Sequence, residues 1–231
     1  MKTKLLTLAL ITVRFFSVSA QQHLPEDNLL FNAFKQSNVN GGGNCASIAL
    51  IKASIGTFGL GKVFTSERDN LNMVLKVKLK NSTQCNIKYS EIDQSIKENG
   101  FKLNSTSEAA IAIKSYADTC FAVMVKVNEL ISKQKFKSYE ESLSSMLDGY
   151  YTPNIYSLLG LKFKQIPSNE LVNYNNVIFY NSYHAVYSSY GYYDETKSTS
   201  GYSPNSSFSI NRFGYKCSWY LCKPRKAFVI E

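Results

Sequence analysis

Apolar positions along this chain change their spacing three times. From Asn44 they recur at helical intervals: Ile48, Ile51 and Ile55 fall on one face, Asn44 suits an N-cap, and Gly56 and Gly59 supply the stop. Residues 71–79 alternate instead, with Leu71, Met73, Leu75, Val77 and Leu79 set against mostly polar neighbours, which predicts a half-buried strand. Residues 88–98 return to a helical pattern that ends at Asn99-Gly100. Ser105 and Glu108 form a capping-box pair ahead of a long helix reaching about residue 127. Ser138 and Glu141 repeat the pair, and that helix stops at Gly149; Thr152-Pro153 opens a short helix closed by Gly160. Beyond it, residues 161–166, 176–180, 183–193, 206–213 and 225–230 are rich in Tyr, Val, Ile and Phe and read as strands. Residues 21–43 are polar and read as irregular. Helices first and strands last predict an α+β fold. Its helical lobe spans about residues 30–160 and its mainly antiparallel β lobe residues 161–231, with a cleft between them as the natural place for a site.

The first twenty residues stand apart. Lys2 and Lys4 precede a nine-residue, mostly apolar run at 5–13, and Val18-Ser19-Ala20 supplies small residues before Gln21. This order predicts a cleavable signal peptide cut after Ala20, and hence a secreted, periplasmic or otherwise extracellular protein with residues 21–231 as one catalytic-sized domain. Arg14 keeps the apolar run too short to span a bilayer, and no later stretch reaches the length of a membrane helix.

Composition narrows the classes. Of 231 residues, 44% are hydrophobic and 19% charged, so disorder is excluded for the bulk of the chain. Loss of the leader removes Lys2, Lys4 and Arg14 and lowers the formal net charge from +9 to +6. That is modest for a nucleic-acid binder, and neither a phosphate-binding glycine loop nor an RNA-binding aromatic signature is present. Lys76, Lys78 and Lys80 alternate along one strand face and read as solvated. Two His and five Cys make a multi-ligand metal enzyme hard to build, and no cofactor is called for. Export matters for the cysteines: four of the five can pair and one is left over. Cys217 and Cys222 are close in sequence, and Cys85 and Cys120 could pair across elements.

Cys45 has the most distinctive surroundings. In Gly41-Gly42-Gly43-Asn44-Cys45-Ala46-Ser47, a glycine turn leads into a helix with the thiol in its first turn. The free N–H groups and dipole of a helix start favour a thiolate, and glycines let a substrate backbone approach. A nucleophilic cysteine needs a base. His23 lies near the new N-terminus, whereas His184 opens the strand-like run Tyr183-His184-Ala185-Val186-Tyr187 and is the better general base. A third group should orient the imidazole. Asn211, on the next strand among aromatic residues, is preferred to Asp194, which lies where the His184 strand ends. The Cys45 backbone N–H supplies one oxyanion donor; for the side-chain amide, Gln36 leads, with Asn40 and Asn44 as rivals.

Together these residues resemble the papain-like cysteine peptidases, and within them the calpain-type catalytic core. The likeness is carried by Gln36, by Gly41-Gly42-Gly43-Asn44-Cys45 before an apolar helix, by His184-Ala185 on a strand, and by Asn211-Arg212-Phe213-Gly214 on the following one. The order Cys, His, Asn is the family's, and residues 116–125, 139–149 and 158–160 are similar to its intervening helical stretch. The resemblance covers about residues 30–230 and implies a papain-like two-lobed fold with Cys45, His184 and Asn211 as the catalytic set. Ala46 stands where the family usually has an aromatic, and Arg212-Phe213 where it usually has Pro-Trp. No acidic loop of calcium-binding density is present, so calcium is not carried over.

Two function classes follow. The first is a secreted thiol hydrolase, an endopeptidase acting on protein or peptide by Cys-His-Asn acyl transfer; a Cys-His-Asp amidase or transglutaminase-like enzyme using Asp194 is its close variant. The second is a catalytically inactive exported binding protein that uses a basic, Tyr-rich β surface. Tyr180, Tyr183, Tyr187, Tyr190, Tyr192, Tyr193 and Tyr202 would form that surface, although packing in the core and on the faces of a sheet is the better explanation of tyrosines in strands. Sequons at Asn81, Asn104 and Asn205 matter only in a host that glycosylates its exports.

Overall fold

The computed structural model describes residues 28–37, 43–150, 152–180, 185–190, 192–193 and 226–231. It is an α+β fold built from helices and antiparallel sheets. The expected signal peptide (1–20) and the expected strand at 206–213 lie outside the described residues.

Helix α2 (Cys45–Phe58) is the centre. Every residue from Ala46 to Ile55 is buried. Its Ile48, Ile51 and Ile55 are therefore not one apolar stripe but part of a helix covered all round. Small residues, Ala46, Ser47, Ala49, Ala53 and Ser54, let neighbours approach from several sides. Those neighbours are helix α1 (Asn28–Ala33), the long helix α4 (Glu108–Ile131), a 3-10 segment at Thr152–Leu159, and the five-stranded sheet. Lys52, wholly buried in α2, donates to the Phe31 carbonyl at 3.3 Å and lies 4.9 Å over the Phe34 ring, fastening α1 to the helix.

The helix ends sharpen the sequence reading. Gly59, at φ 93°, ends α2, but Gly56 does not. It lies inside the helix, where a Cβ would land on the Asn176 side chain. Helix α3 (Tyr89–Glu98) stops at Asn99-Gly100 with Gly100 at φ 67°, as its sequence predicts. Helix α4 is capped by Ser107, whose hydroxyl accepts from the Ala110 N–H at 3.2 Å. Ser105 instead supports Ser107, and the helix runs past 127 to Ile131. Helix α5 (Tyr139–Asp148) has Ser138 as its cap and ends at Gly149, φ 119°.

The first half of the chain carries more strand than its pattern predicts. Strand β1 (Phe34–Gln36) follows α1, in a region expected to be irregular, and pairs with β5 (Phe101–Leu103). Between α2 and α3 sits a three-stranded antiparallel sheet of β2 (Thr65–Asp69), β3 (Val74–Lys78) and β4 (Gln84–Lys88). Leu75 and Val77 face the core opposite Ile87 and Cys85. The expected strand at 71–79 is shorter at its start. Leu71, 97% exposed, and Met73, at φ 52°, belong to the β2–β3 turn, which the Asp69 carboxylate holds by accepting from Asn72. Lys76 and Lys78 stand on the solvated face as expected.

Among the described residues, the last third forms a five-stranded antiparallel sheet in the order β6-β10-β7-β8-β9, comprising β6 (Phe163–Ile166), β7 (Val177–Tyr180), β8 (Ala185–Ser189), β9 (Tyr192–Tyr193) and β10 (Lys226–Ile230). Strands β7, β8 and β10 are covered on both faces. Ile178, Tyr180, Ala185, Tyr187, Phe228 and Ile230 join the main core with α2 and α4. Val177, Phe179, Val186 and Ala227 point the other way into a smaller cluster with Ile166 and Leu171. Burial on both faces is why these strands read as continuous apolar runs. Residues expected as one strand over 183–193 divide at Tyr190, φ 48°, into β8 and β9. Tyr180 and Tyr187 are core residues rather than a displayed surface; Tyr190 is exposed.

Candidate active site

Cys45 opens α2 as a half-buried free thiol. Its turn is fixed by packing of the chain on itself. A Cβ on Gly43 would collide with the backbone of residues 147–149, where α5 ends. This glycine is therefore required by a backbone-to-backbone contact inside the protein, not by the approach of a substrate. Gly41 and Gly42 lie outside the described residues.

Asn44 holds the N-cap position without capping the helix through its side chain. Its ψ of 4° departs from the extended backbone that a capping side chain needs. The side chain, only 4% exposed, instead donates through Nδ2 to the Asn99 carbonyl at 2.6 Å. Oδ1 of Asn44 is buried with no hydrogen-bond partner among the described residues. The Asn99 carbonyl takes one of the two N–H groups of the Asn44 amide and fixes the direction of that side chain.

Asn99 is a junction. Its Oδ1 accepts from the Phe101 N–H at 2.8 Å, and its Nδ2 donates to Asp118 Oδ1 at 2.9 Å. Lys114 donates to Asp118 Oδ2 at 2.8 Å, so both carboxylate oxygens are held. Burial pushes the Asp118 carboxyl above its ordinary range, while the bonds from Lys114 and Asn99 pull the other way. Gln36 arrives at the same turn from the other side. It is 6% exposed, ends β1 and is paired with Phe101; the Ser37 N–H donates to the Gly100 carbonyl at 2.7 Å. Residues 99–101 thus receive both Gln36-Ser37 and Asn44, the residues that bracket the glycine loop.

Strand β8 packs directly against α2, and its first residue is Ala185. His184, Asn211, Asp194, Asn40 and His23 lie outside the described residues, as do Cys217 and Cys222. Cys85 and Cys120 are not joined to each other. Each is a separate buried thiol, in β4 and α4 respectively. Burial pushes the Cys85 thiol up to about 11, with Lys126 opposing and Glu91 adding, and drives Cys120 higher still. They are poor nucleophiles for the same reason that they are good core residues.

The sequence reading missed Asn99, Asp118 and Lys114. Asn99-Gly100 was legible only as a helix stop. The available signal was an acid in an otherwise apolar helical run, Ala117-Asp118-Thr119-Cys120-Phe121, because buried carboxylates require partners. Among the described residues, a polar concavity lies on the β2–β3–β4 sheet and an apolar one beside α1, and Gln36, Asn44 and Cys45 line neither of them. Among the described residues no group of His, Cys, Asp and Glu gathers as metal ligands, and no helix is long and apolar enough to cross a membrane. No protein-family model, curated protein or solved structure matches this chain.

Proposed function

We propose that this chain is an exported thiol hydrolase, a cysteine endopeptidase of papain-like two-lobed design that works by Cys-His-Asn acyl transfer. Cys45 is its nucleophile, His184 its general base and acid, and Asn211 the group that orients the imidazole. The observation that carries the reading is the packing of β8 on α2: the strand that begins one residue after His184 lies against the helix that begins with Cys45.

In this scheme His184 takes the Cys45 proton, and the thiolate attacks the peptide carbonyl. The Cys45 N–H and the Gln36 side-chain amide receive the developing oxyanion. The His184 imidazolium then protonates the departing amine, leaving a thioester. Water, deprotonated by His184, hydrolyses the thioester to the acid and restores the thiol. The placement of Gln36 and Asn44 on one turn supports the pairing of oxyanion donor and nucleophile. The alternative of a displayed tyrosine surface for binding is weakened by Tyr180 and Tyr187, which are core residues.

The test is mass spectrometry of the mature protein after iodoacetamide treatment without reductant, beside Cys45→Ala and His184→Ala. Single labelling at Cys45 that slows roughly a hundredfold in His184→Ala supports the pair. Labelling indifferent to His184, or Cys45 found in a disulfide, ends the reading.

A further inference from the structure

Ser37 and Gly43 are the described ends on either side of residues 38–42, and they set where Gln36 and Cys45 stand relative to each other. Both ends are fastened to one three-residue turn. On the outgoing side, Gln36 is paired with Phe101, and the Ser37 N–H bonds to Gly100. On the returning side, the Asn44 amide bonds to Asn99 at 2.6 Å. The turn cannot drift, because the Asn99 side chain is bonded at both ends, to the Phe101 N–H and to Asp118, and Lys114 holds Asp118 in turn. Gly100 at φ 67° makes the reversal that presents two successive carbonyls, Asn99 to one loop end and Gly100 to the other. Asn44, Asn99 and Asp118 are all almost wholly buried. Burying three polar side chains is costly unless they are hydrogen-bonded, and a bonded chain of this kind stiffens the segments that it joins.

We propose that the Asn99–Gly100–Phe101 turn, anchored by Asp118, is the positioning element of the site: through Asn44 it fixes Cys45, and through Gln36 it holds the oxyanion donor in register with it. This rests on the reading of Cys45 and His184 as the reacting pair. None of the three network residues touches substrate; Asn44, Asn99 and Asp118 act through their neighbours. Asn44 Oδ1 is buried with no hydrogen-bond partner among the described residues, so among them the side chain is held through its amide nitrogen.

The experiment measures the rate of Cys45 alkylation by iodoacetamide in the full mature chain, for wild type, His184→Ala, Asn44→Ala and Asn44→Ala/His184→Ala. Labelling of Cys85 and Cys120 reports in the same spectra whether the fold has opened. Simple loosening exposes Cys45 and speeds its alkylation, whereas loss of positioning slows it. The expected result is a fall of roughly tenfold in Asn44→Ala, a further fall of no more than about tenfold on adding His184→Ala against about a hundredfold for His184→Ala alone, and Cys85 and Cys120 still protected. If Asn44→Ala keeps the wild-type rate and its full dependence on His184, the inference is overturned while the reacting pair stands. If wild-type labelling itself ignores His184, the pair fails first and the inference with it. Should Asn44→Ala admit reagent to Cys85 and Cys120, Asn44→Asp takes its place, since it keeps the shape and removes the donor to Asn99; the same outcomes are read from it.

Discussion

At the scale of single residues, position decides what a polar group does. Asn44 and Asp69 are both short polar side chains beside a change of direction. Asp69 sits on a solvated hairpin, where it accepts from the Asn72 backbone at 3.1 Å and side chain at 2.9 Å and pairs with Lys76 at 2.8 Å. The Lys76 hydrogen bond, followed by those from Asn72, holds its carboxyl well below the usual carboxylate range. A depressed acid stabilises the fold above its ordinary titration range and loses that contribution as the pH falls toward its folded value. Wild type should therefore exceed Asp69→Asn in melting temperature at about pH 6, and the margin should shrink on acidification to about pH 2. A margin that stays constant over that span would show that the pair does not hold the turn.

Among elements, local signals were readable and distant ones were not. Ser138 as a cap and Asn99-Gly100, Gly149 and Gly160 as stops are written in a few adjacent residues, and each is found where the sequence places it. The β2–β3–β4 sheet was hidden because β2 has no apolar face; Thr65–Asp69 is exposed almost throughout. Leu71 and Met73 continued the alternation of β3 beyond its true start and disguised the turn. Cys45 and its glycine turn were legible as a candidate site, since they are contiguous. The bonds from Asn44 to Asn99 and from Asn99 to Asp118 span large separations in sequence, and no short-range pattern announces them.

Gly56 shows the same limit inside one helix. In an isolated helix, Gly→Ala stabilises by about 1 kcal/mol. Here the added methyl would meet Asn176, whose Oδ1 accepts from the buried Tyr187 hydroxyl at 2.9 Å. Gly56→Ala should destabilise by about 1–3 kcal/mol in urea titration. The cost should shrink in an Asn176→Gly background, a change that the φ of 52° at Asn176 accommodates. An Ala that stabilises the wild-type background would place the Asn176 contact in error.

For the whole molecule, one core joins the parts that the sequence divides. Cys85 of the three-stranded sheet and Cys120 of α4 belong to the same buried cluster as α2 and the inner face of the five-stranded sheet. The two thiols should gain reactivity toward a thiol reagent in a single transition as urea is raised. Cys85 reacting well before Cys120 would mean that the small sheet opens on its own.

The strand order β6-β10-β7-β8-β9 has a consequence for biosynthesis. Residues 226–230 sit between β6 and β7, both of which leave the ribosome much earlier. Until β10 emerges, β6 lacks a partner among the described strands and β7 has β8 alone among them, so the described sheet is completed only when this late strand is threaded into its middle. Such an arrangement delays closure of the core until translation has passed Ile230.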